Sequence, residues 1–259
     1  MSLVLAITNQ KGGVGKTTTS VNLAAGLAQA GKRVLLIDLD PQGNATMGSG
    51  IDKRALKATV YQVLLGLATV QSVRVRSESG GYDVIPANRD LAGAEVEMVE
   101  LEHRELRLTA ALEPLAGQYD FILLDCPPAL NMLTLNGLVA ADSVMIPMQC
   151  EYYALEGLSD LVNTIKKVRQ HLNPRIEIAG LLRTMYDPRS TLAQQVSAQL
   201  QEHFGAKVYE TVIPRNVRLA EAPSFGAPAI NFDRECKGSQ AYMALTSEVL
   251  NRNGLVVAA

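Results

Sequence analysis

Short stretches that are apolar at almost every position alternate along this chain with longer ones whose apolar residues recur every three or four positions. The first kind, at residues 3–8, 33–38, 82–86, 119–125, 143–149, 177–185 and 207–213, has no polar face and predicts strands covered on both sides. The second kind predicts helices over 20–30, 59–67, 91–115, 155–171, 191–204 and 239–252. In the helix over 91–115, Glu95, Glu97, Glu100, Glu102 and Glu105 form an acidic face whose simplest reading is a solvated surface. Pro41 and Gly43 stop one strand at Asp38 and turn residues 38–44 into a loop, and Cys126-Pro127-Pro128 stops another at Asp125. Strands alternating with helices imply an α/β fold, a mostly parallel twisted β-sheet with helices on both faces. Ligands of such sheets bind beyond the carboxyl ends of the strands, where residues 11–18, Asp38, Asp40 and Asp125 emerge together.

Composition narrows this picture. The 259 residues are 47% hydrophobic and contain no Ser/Gly-rich linker, low-complexity tract or repeat, so one domain over residues 1–259 is expected. No run approaches the roughly 20 apolar residues of a membrane span, and Met1 leads into a strand without a charged-then-apolar leader. A cytoplasmic protein is expected. Cys126, Cys150 and Cys236 are too far apart in sequence for a zinc or iron–sulfur ligand set. The formal charge is −2, which by itself argues against a nucleic-acid binder, but its distribution is uneven. Residues 163–237 hold 11 Lys and Arg against 7 Asp and Glu, and the remainder 13 against 19. A basic face on a mildly acidic protein fits that asymmetry, as do scattered solvated arginines.

The chemistry concentrates in Lys11-Gly12-Gly13-Val14-Gly15-Lys16-Thr17-Thr18, between the first strand and the first helix. Glycines let backbone N–H groups turn towards a polyphosphate, and the following helix adds its positive end. Lys16 then faces the β/γ-phosphates, and the Thr17 hydroxyl can ligate Mg²⁺. Gln10 stands where the usual phosphate loop has its first glycine, and Lys11 follows as a second cation. Two lysines five residues apart are more than cradling one triphosphate requires. Asp125, closing an apolar strand, can hold Mg²⁺ directly or through water; its alternative is a helix N-cap. Asp38 and Asp40 point to the same side of an extended backbone. One division places Asp38 near the magnesium shell and Asp40 on the attacking water, with Lys16, Mg²⁺ and Lys11 spreading the developing charge.

With Lys11, Asp40 and Asp125 in place, the chain resembles the deviant Walker A ATPases, the MinD/ParA superfamily, and within them the ParA/Soj chromosome and plasmid partitioning proteins. The resemblance rests on residues 9–19 (NQKGGVGKTTT), 38–46 (DLDPQGNAT), 124–128 (LDCPP) and 213–223 (IPRNVRLAEAP), which span most of the chain. It implies a P-loop NTPase-like fold, ATP and Mg²⁺ as ligands, and slow basal hydrolysis. It also implies an ATP-sandwich homodimer in which Lys11 of one subunit reaches the phosphates bound by the other. Asp40 matches the residue that activates water, Lys16 the phosphate lysine, Thr17 and Asp125 the magnesium positions, and Pro214 and Asn216 the segment that packs on adenine. Arg189, Arg215 and Arg218 fall where the family contacts DNA phosphates without sequence preference, all within the basic stretch. Implied partners are non-specific double-stranded DNA on the nucleoid and a ParB-type centromere-binding protein that stimulates hydrolysis; the acidic 95–105 face is a candidate for a basic segment of that partner. No helix-turn-helix precedes residue 3, so operator binding is not expected.

Three other readings have distinguishing features. A MinD-type division ATPase anchors through a basic amphipathic C-terminal helix, whereas residues 250–259 carry one arginine and end apolar, so no membrane partner is expected. A nucleotide-driven electron donor or iron–sulfur scaffold needs cluster cysteines, and Cys126 lacks a suitable mate. A DNA-binding regulator independent of turnover would keep DNA binding in Lys16→Ala.

Overall fold

The computed structural model describes residues 2–255. In chain order they form β1 (Leu3–Ile7), α1 (Lys16–Gln29), β2 (Val34–Asp38), α2 (Asn44–Gly48), α3 (Val60–Leu64), α4 (Val70–Val73), β3 (Val75–Ser77), β4 (Tyr82–Ile85), α5 (Leu91–Glu97) and α6 (Arg107–Leu112). There follow β5 (Phe121–Asp125), α7 (Met132–Ala140), β6 (Ser143–Gln149), α8 (Ala154–His171), β7 (Glu177–Tyr186), α9 (Thr191–Phe204), β8 (Val208–Pro214), α10 (Val217–Glu221), α11 (Ala229–Phe232) and α12 (Lys237–Arg252). The eight strands make one sheet in the order β3-β4-β2-β5-β1-β6-β7-β8, parallel except for β3.

The apolar runs are strands because both of their faces are covered. Leu35, Ile37, Ile122, Leu124 and Ile146 pack into a core under α3 and α5 to α9, while Leu5, Ile7, Leu36, Leu123 and Met145 pack under α1, α11 and α12. Each such fully buried side chain contributes about 1.5–3 kcal/mol. The central strand β1 lies between β5 and β6, so the chain order reverses on either side of it and leaves a crevice at its carboxyl end. Residue pairing levels the strand ends there: Ile7 lies opposite Asp125, and Asp38 opposite Asp125 on the other side. At the edge formed by β8, the amides of Glu210 and Thr211 donate to the Glu248 carboxylate (2.8 and 2.9 Å), and Arg252 bonds the carbonyls of Ala206 and Val208. The opposite edge, β3, is three residues long.

Several elements differ from the sequence expectation for identifiable reasons. The helix expected over 91–115 is interrupted: α5 passes through a 3-10 turn, the backbone extends at Leu101 and turns left-handed at His103 (φ 52°), and α6 begins four residues later. An unbroken helix turns about 100° per residue, so ten residues would swing Leu108 roughly 80° away from the side that buries Met98. Breaking the helix lets both enter the same core. Asn136 fixes the new start, accepting from Leu108 N and donating to the Arg104 carbonyl. The acidic residues therefore do not share one helical face, and Glu95 is tied to Asn131. Helix α7 was not expected, because seven of its nine residues are buried and it has no polar face to reveal a period. Helix α1 starts at Lys16, earlier than expected, since left-handed Gly15 (φ 85°) turns the chain directly into it.

Candidate active site

Gly13 (φ 73°) and Gly15 (φ 85°) hold left-handed conformations that let the segment after β1 curl back before α1. The result is a row of unused donors. Among the described residues, the N–H groups of Gly12, Gly13, Val14 and Gly15 reach no acceptor, whereas the carbonyls of Lys11 and Gly15 are taken by Lys16 Nζ (3.0 Å) and Thr19 N (2.9 Å). A Cβ at Gly12 or Gly13 would meet nothing within 4 Å, so the first two of these residues border open space. Free amides, a helix start and a lysine at one point make an anion site of phosphate size. Burial holds the Lys16 ammonium below the usual lysine range, against the opposing pull of Asp125 and Asp40.

Asp125 is wholly buried at the end of β5 and accepts from Thr17 Oγ1 and Ser20 Oγ, both at 2.8 Å. It caps no helix; Asn131 caps α7. Burial, then the neighbouring Asp38, pushes its carboxyl well above the ordinary carboxylate range, and burial raises Asp38 likewise. Once ionised, the two buried acids outnumber the single buried lysine beside them and call for a further cation. The Thr17 hydroxyl donates its hydrogen bond to Asp125, which leaves its oxygen lone pairs for a cation. Thr17 and Asp125 therefore fit Mg²⁺. Asp38 is wholly buried beside Asp125: one oxygen accepts from the Asp40 amide (3.1 Å) and the other from Thr46 N and Oγ1 (2.8 and 2.7 Å). These bonds make Asp38 an anchor for the loop that carries Asp40, beside its expected place near the magnesium shell. Asp40, 8% exposed, uses one oxygen to accept from Gln42 N (2.9 Å), and the other has no protein donor among the described residues.

Beyond the phosphate loop, Pro214 and Asn216 line a cavity of about 200 Å³ with Gly15, Thr18, Thr184 and Met185. Asn216 also caps α10, accepting from Arg218 N. Val14 is buried, and its carbonyl accepts from Thr184. The exposed Lys11 forms an ion pair with Glu151 of its own chain. Ser20, Thr46, Glu151 and Thr184 escaped sequence reasoning. Ser20, three residues after Thr17 on one helix face, could have been found from spacing; Thr46 and Thr184 carry no local signal.

A family model described as an AAA domain matches residues 2–178. The chromosome partitioning protein ParA of Caulobacter vibrioides is 54% identical over 251 residues, covering 96% of this chain and 94% of that protein. The sporulation initiation inhibitor protein Soj of Bacillus subtilis is 55% identical over 249 residues, covering 96% and 98%. The chain belongs to the ParA/Soj family of partitioning ATPases. Among solved structures, cobyrinic acid a,c-diamide synthase from Mycobacterium smegmatis with bound ADP and magnesium superposes with a TM-score of 0.87 at 39% identity, covering 98% of this chain and 96% of that one. The septum site-determining protein MinD of Pyrococcus horikoshii complexed with Mg-ADP gives 0.79 at 26%, covering 98% of each.

In this partitioning ATPase, of the arginines expected at DNA, Arg189 and Arg215 sit on loops after β7 and β8 and Arg218 in α10; β7 and β8 are neighbouring parallel strands whose carboxyl ends lie on the phosphate-loop side of the sheet. Arg189 is exposed and paired with Asp187 (2.9 Å), whose carboxyl is thereby pulled down to about 2. Arg218 is paired with both Glu221 (2.9 Å) and Asp233 (3.2 Å). Arg215 is exposed and has no carboxylate partner among the described residues. The three share one end of the sheet, but two are internally neutralised.

Proposed function

We propose that this partitioning ATPase is a single P-loop domain over residues 1–259 that hydrolyses Mg²⁺-bound ATP, dimerises on ATP, binds double-stranded DNA without sequence preference, and is released when a ParB-type centromere-binding partner stimulates hydrolysis. The observation that carries the reading is the row of free N–H groups from Gly12 to Gly15 beside Lys16 and the Thr17–Asp125 pair. The amides and Lys16 hold the phosphates; Thr18, Pro214 and Asn216 border the space for the base. Mg²⁺ bound at Thr17 and Asp125 supplies positive charge against that developing on the transferred phosphoryl group. Asp40 orients the attacking water through its unused oxygen, and Asp38 with Thr46 fixes where that oxygen sits. Lys11 exchanges Glu151 for the phosphates of a second copy. The names of the relatives and the ADP, ATP-analogue and magnesium bound in a solved neighbour support ligand and role.

The setting is the cytoplasm and nucleoid, with chromosome or plasmid DNA as cargo. No helix among the described residues is long and apolar enough to cross a membrane; residues 256–259 of the tail weighed as an anchor lie outside the described residues. The test is a DNA-retention assay with random-sequence duplex. ATP with Mg²⁺ should give a complex that dissolves as salt rises, and ADP should give none. Binding that ignores the nucleotide defeats the proposal, and ATP-dependent sedimentation with anionic liposomes in place of DNA selects a MinD-like role.

A further inference from the structure

The loop that bears the phosphate-facing amides is itself pliable. The Val14–Gly15 peptide is flanked on one side by left-handed Gly15 and lies one residue from left-handed Gly13. Glycines make rotation of such a peptide easy, and rotation would turn a carbonyl, not an N–H, towards the phosphates. Something outside the loop must hold it. In a trans peptide the C=O and the following N–H point in opposite directions, so fixing the Val14 carbonyl also fixes the Gly15 N–H. The Thr184 hydroxyl does this, donating to Val14 O at 2.8 Å in a buried contact. Its methyl carbon lies 3.7 Å from where a Cβ of Gly15 would stand.

The support comes from two paired strands. Thr184 lies at the end of β7, paired in register with Gln149 at the end of β6, and Gln149 Nε2 stands 3.5 Å from the preceding loop carbonyl, Gly13 O. Immediately after Thr184, Met185 takes a left-handed conformation (φ 48°) that a non-glycine residue adopts only where its surroundings impose it, and its sulfur accepts from Gln149. Two neighbouring strand ends thus face two consecutive loop carbonyls.

We propose that Thr184 is a positioning residue of the nucleotide site: its hydroxyl pins the Val14 carbonyl outward and so aims the Gly15 N–H at the nucleotide phosphates. This rests on the phosphate-binding reading above. The test compares Mg-ADP binding by titration calorimetry to the full chain as wild type, Thr184→Val and Thr184→Ser, alongside urea denaturation without nucleotide. Thr184→Val keeps the shape and removes the donor. It should weaken Mg-ADP about tenfold or more with heat signals that still report a fully folded protein, and Thr184→Ser should bind within about twofold of wild type. A Thr184→Val variant that binds within about twofold of wild type overturns the proposal, as does a Thr184→Ser variant impaired as much as Thr184→Val. So does a loss of affinity matched by loss of folded protein in the urea curve. A wild-type chain that binds no Mg-ADP would instead bring down the phosphate-binding reading itself.

Discussion

Asp38 and Asp40 are two residues apart and chemically identical, yet their surroundings separate their tasks. Asp38 is buried with both oxygens spent on Thr46 and the Asp40 amide, and Asp40 keeps one oxygen unused. Asp40→Ala should therefore lower ATP turnover about a hundredfold or more while leaving ATP affinity within about twofold, checked by phosphate release and by nucleotide titration. Normal turnover in that variant would remove Asp40 from the water. The buried acids also set a pH dependence. Their carboxyls titrate above the ordinary range in the folded, metal-free chain, so that contribution to stability is greatest in acid and is lost as pH rises through their raised values. A divalent cation needs the ionised form. Mg²⁺ dependence of nucleotide binding should accordingly weaken as pH falls from neutrality towards the ordinary carboxylate range, with protons released on binding, measurable as buffer-dependent heats. The closeness of Lys16, Thr17 and Asp125 was legible in the sequence because a loop and a strand end of a parallel sheet emerge side by side. It missed the anchoring work of Asp38 because that depends on Thr46, which the turn at Pro41 and Gly43 brings back to it.

That turn shows how an element transmits to the site. Gly43 has φ 62°, and a Cβ there would come within 2.6 Å of the Ala87 carbonyl. Gly43→Ala should cost about 1–3 kcal/mol of stability and also slow turnover, because the loop between Asp38 and α2 cannot keep its path. The urea midpoint and phosphate release together check this; a stable variant with full turnover would show that the loop accommodates the methyl group. Strand β6 and helix α9 begin and end where the sequence pattern placed them, since each is bounded by a clear change of period. The pattern failed where burial was too uniform, as in α7, or where two residues of one stretch enter the same core out of helical phase, as Met98 and Leu108 do.

Across the whole molecule, charge placement bears on the proposed DNA contact. Residues 163–237 carry a surplus of cations, but Arg218 is held by Glu221 and Asp233. Glu221→Gln with Asp233→Asn should raise affinity for duplex DNA a few-fold at fixed salt, because each exposed pair opposes transfer of Arg218 to phosphate by about 0–1 kcal/mol. Arg218→Glu should weaken it and flatten the salt dependence, read from filter retention across a salt series. No effect of either change would take Arg218 out of the contact. The fold class was legible as a whole because strand polarity follows from helices crossing between strands; which arginines are already paired was not, because Asp233 approaches Arg218 only through the turn at α11.

The sheet's two margins bear on how copies of this chain meet. Glu248 and Arg252 occupy backbone groups along β8, and β3 offers only three residues at the far side. Neither margin is a ready template for another chain's strand, so growth into ribbons by strand-to-strand zipping is discouraged. In the dimer proposed above, protomers would meet instead at the crest of loops where the amides of Gly12 to Gly15 reach no acceptor among the described residues. Joining and parting would then fall on the surface where a nucleotide can act.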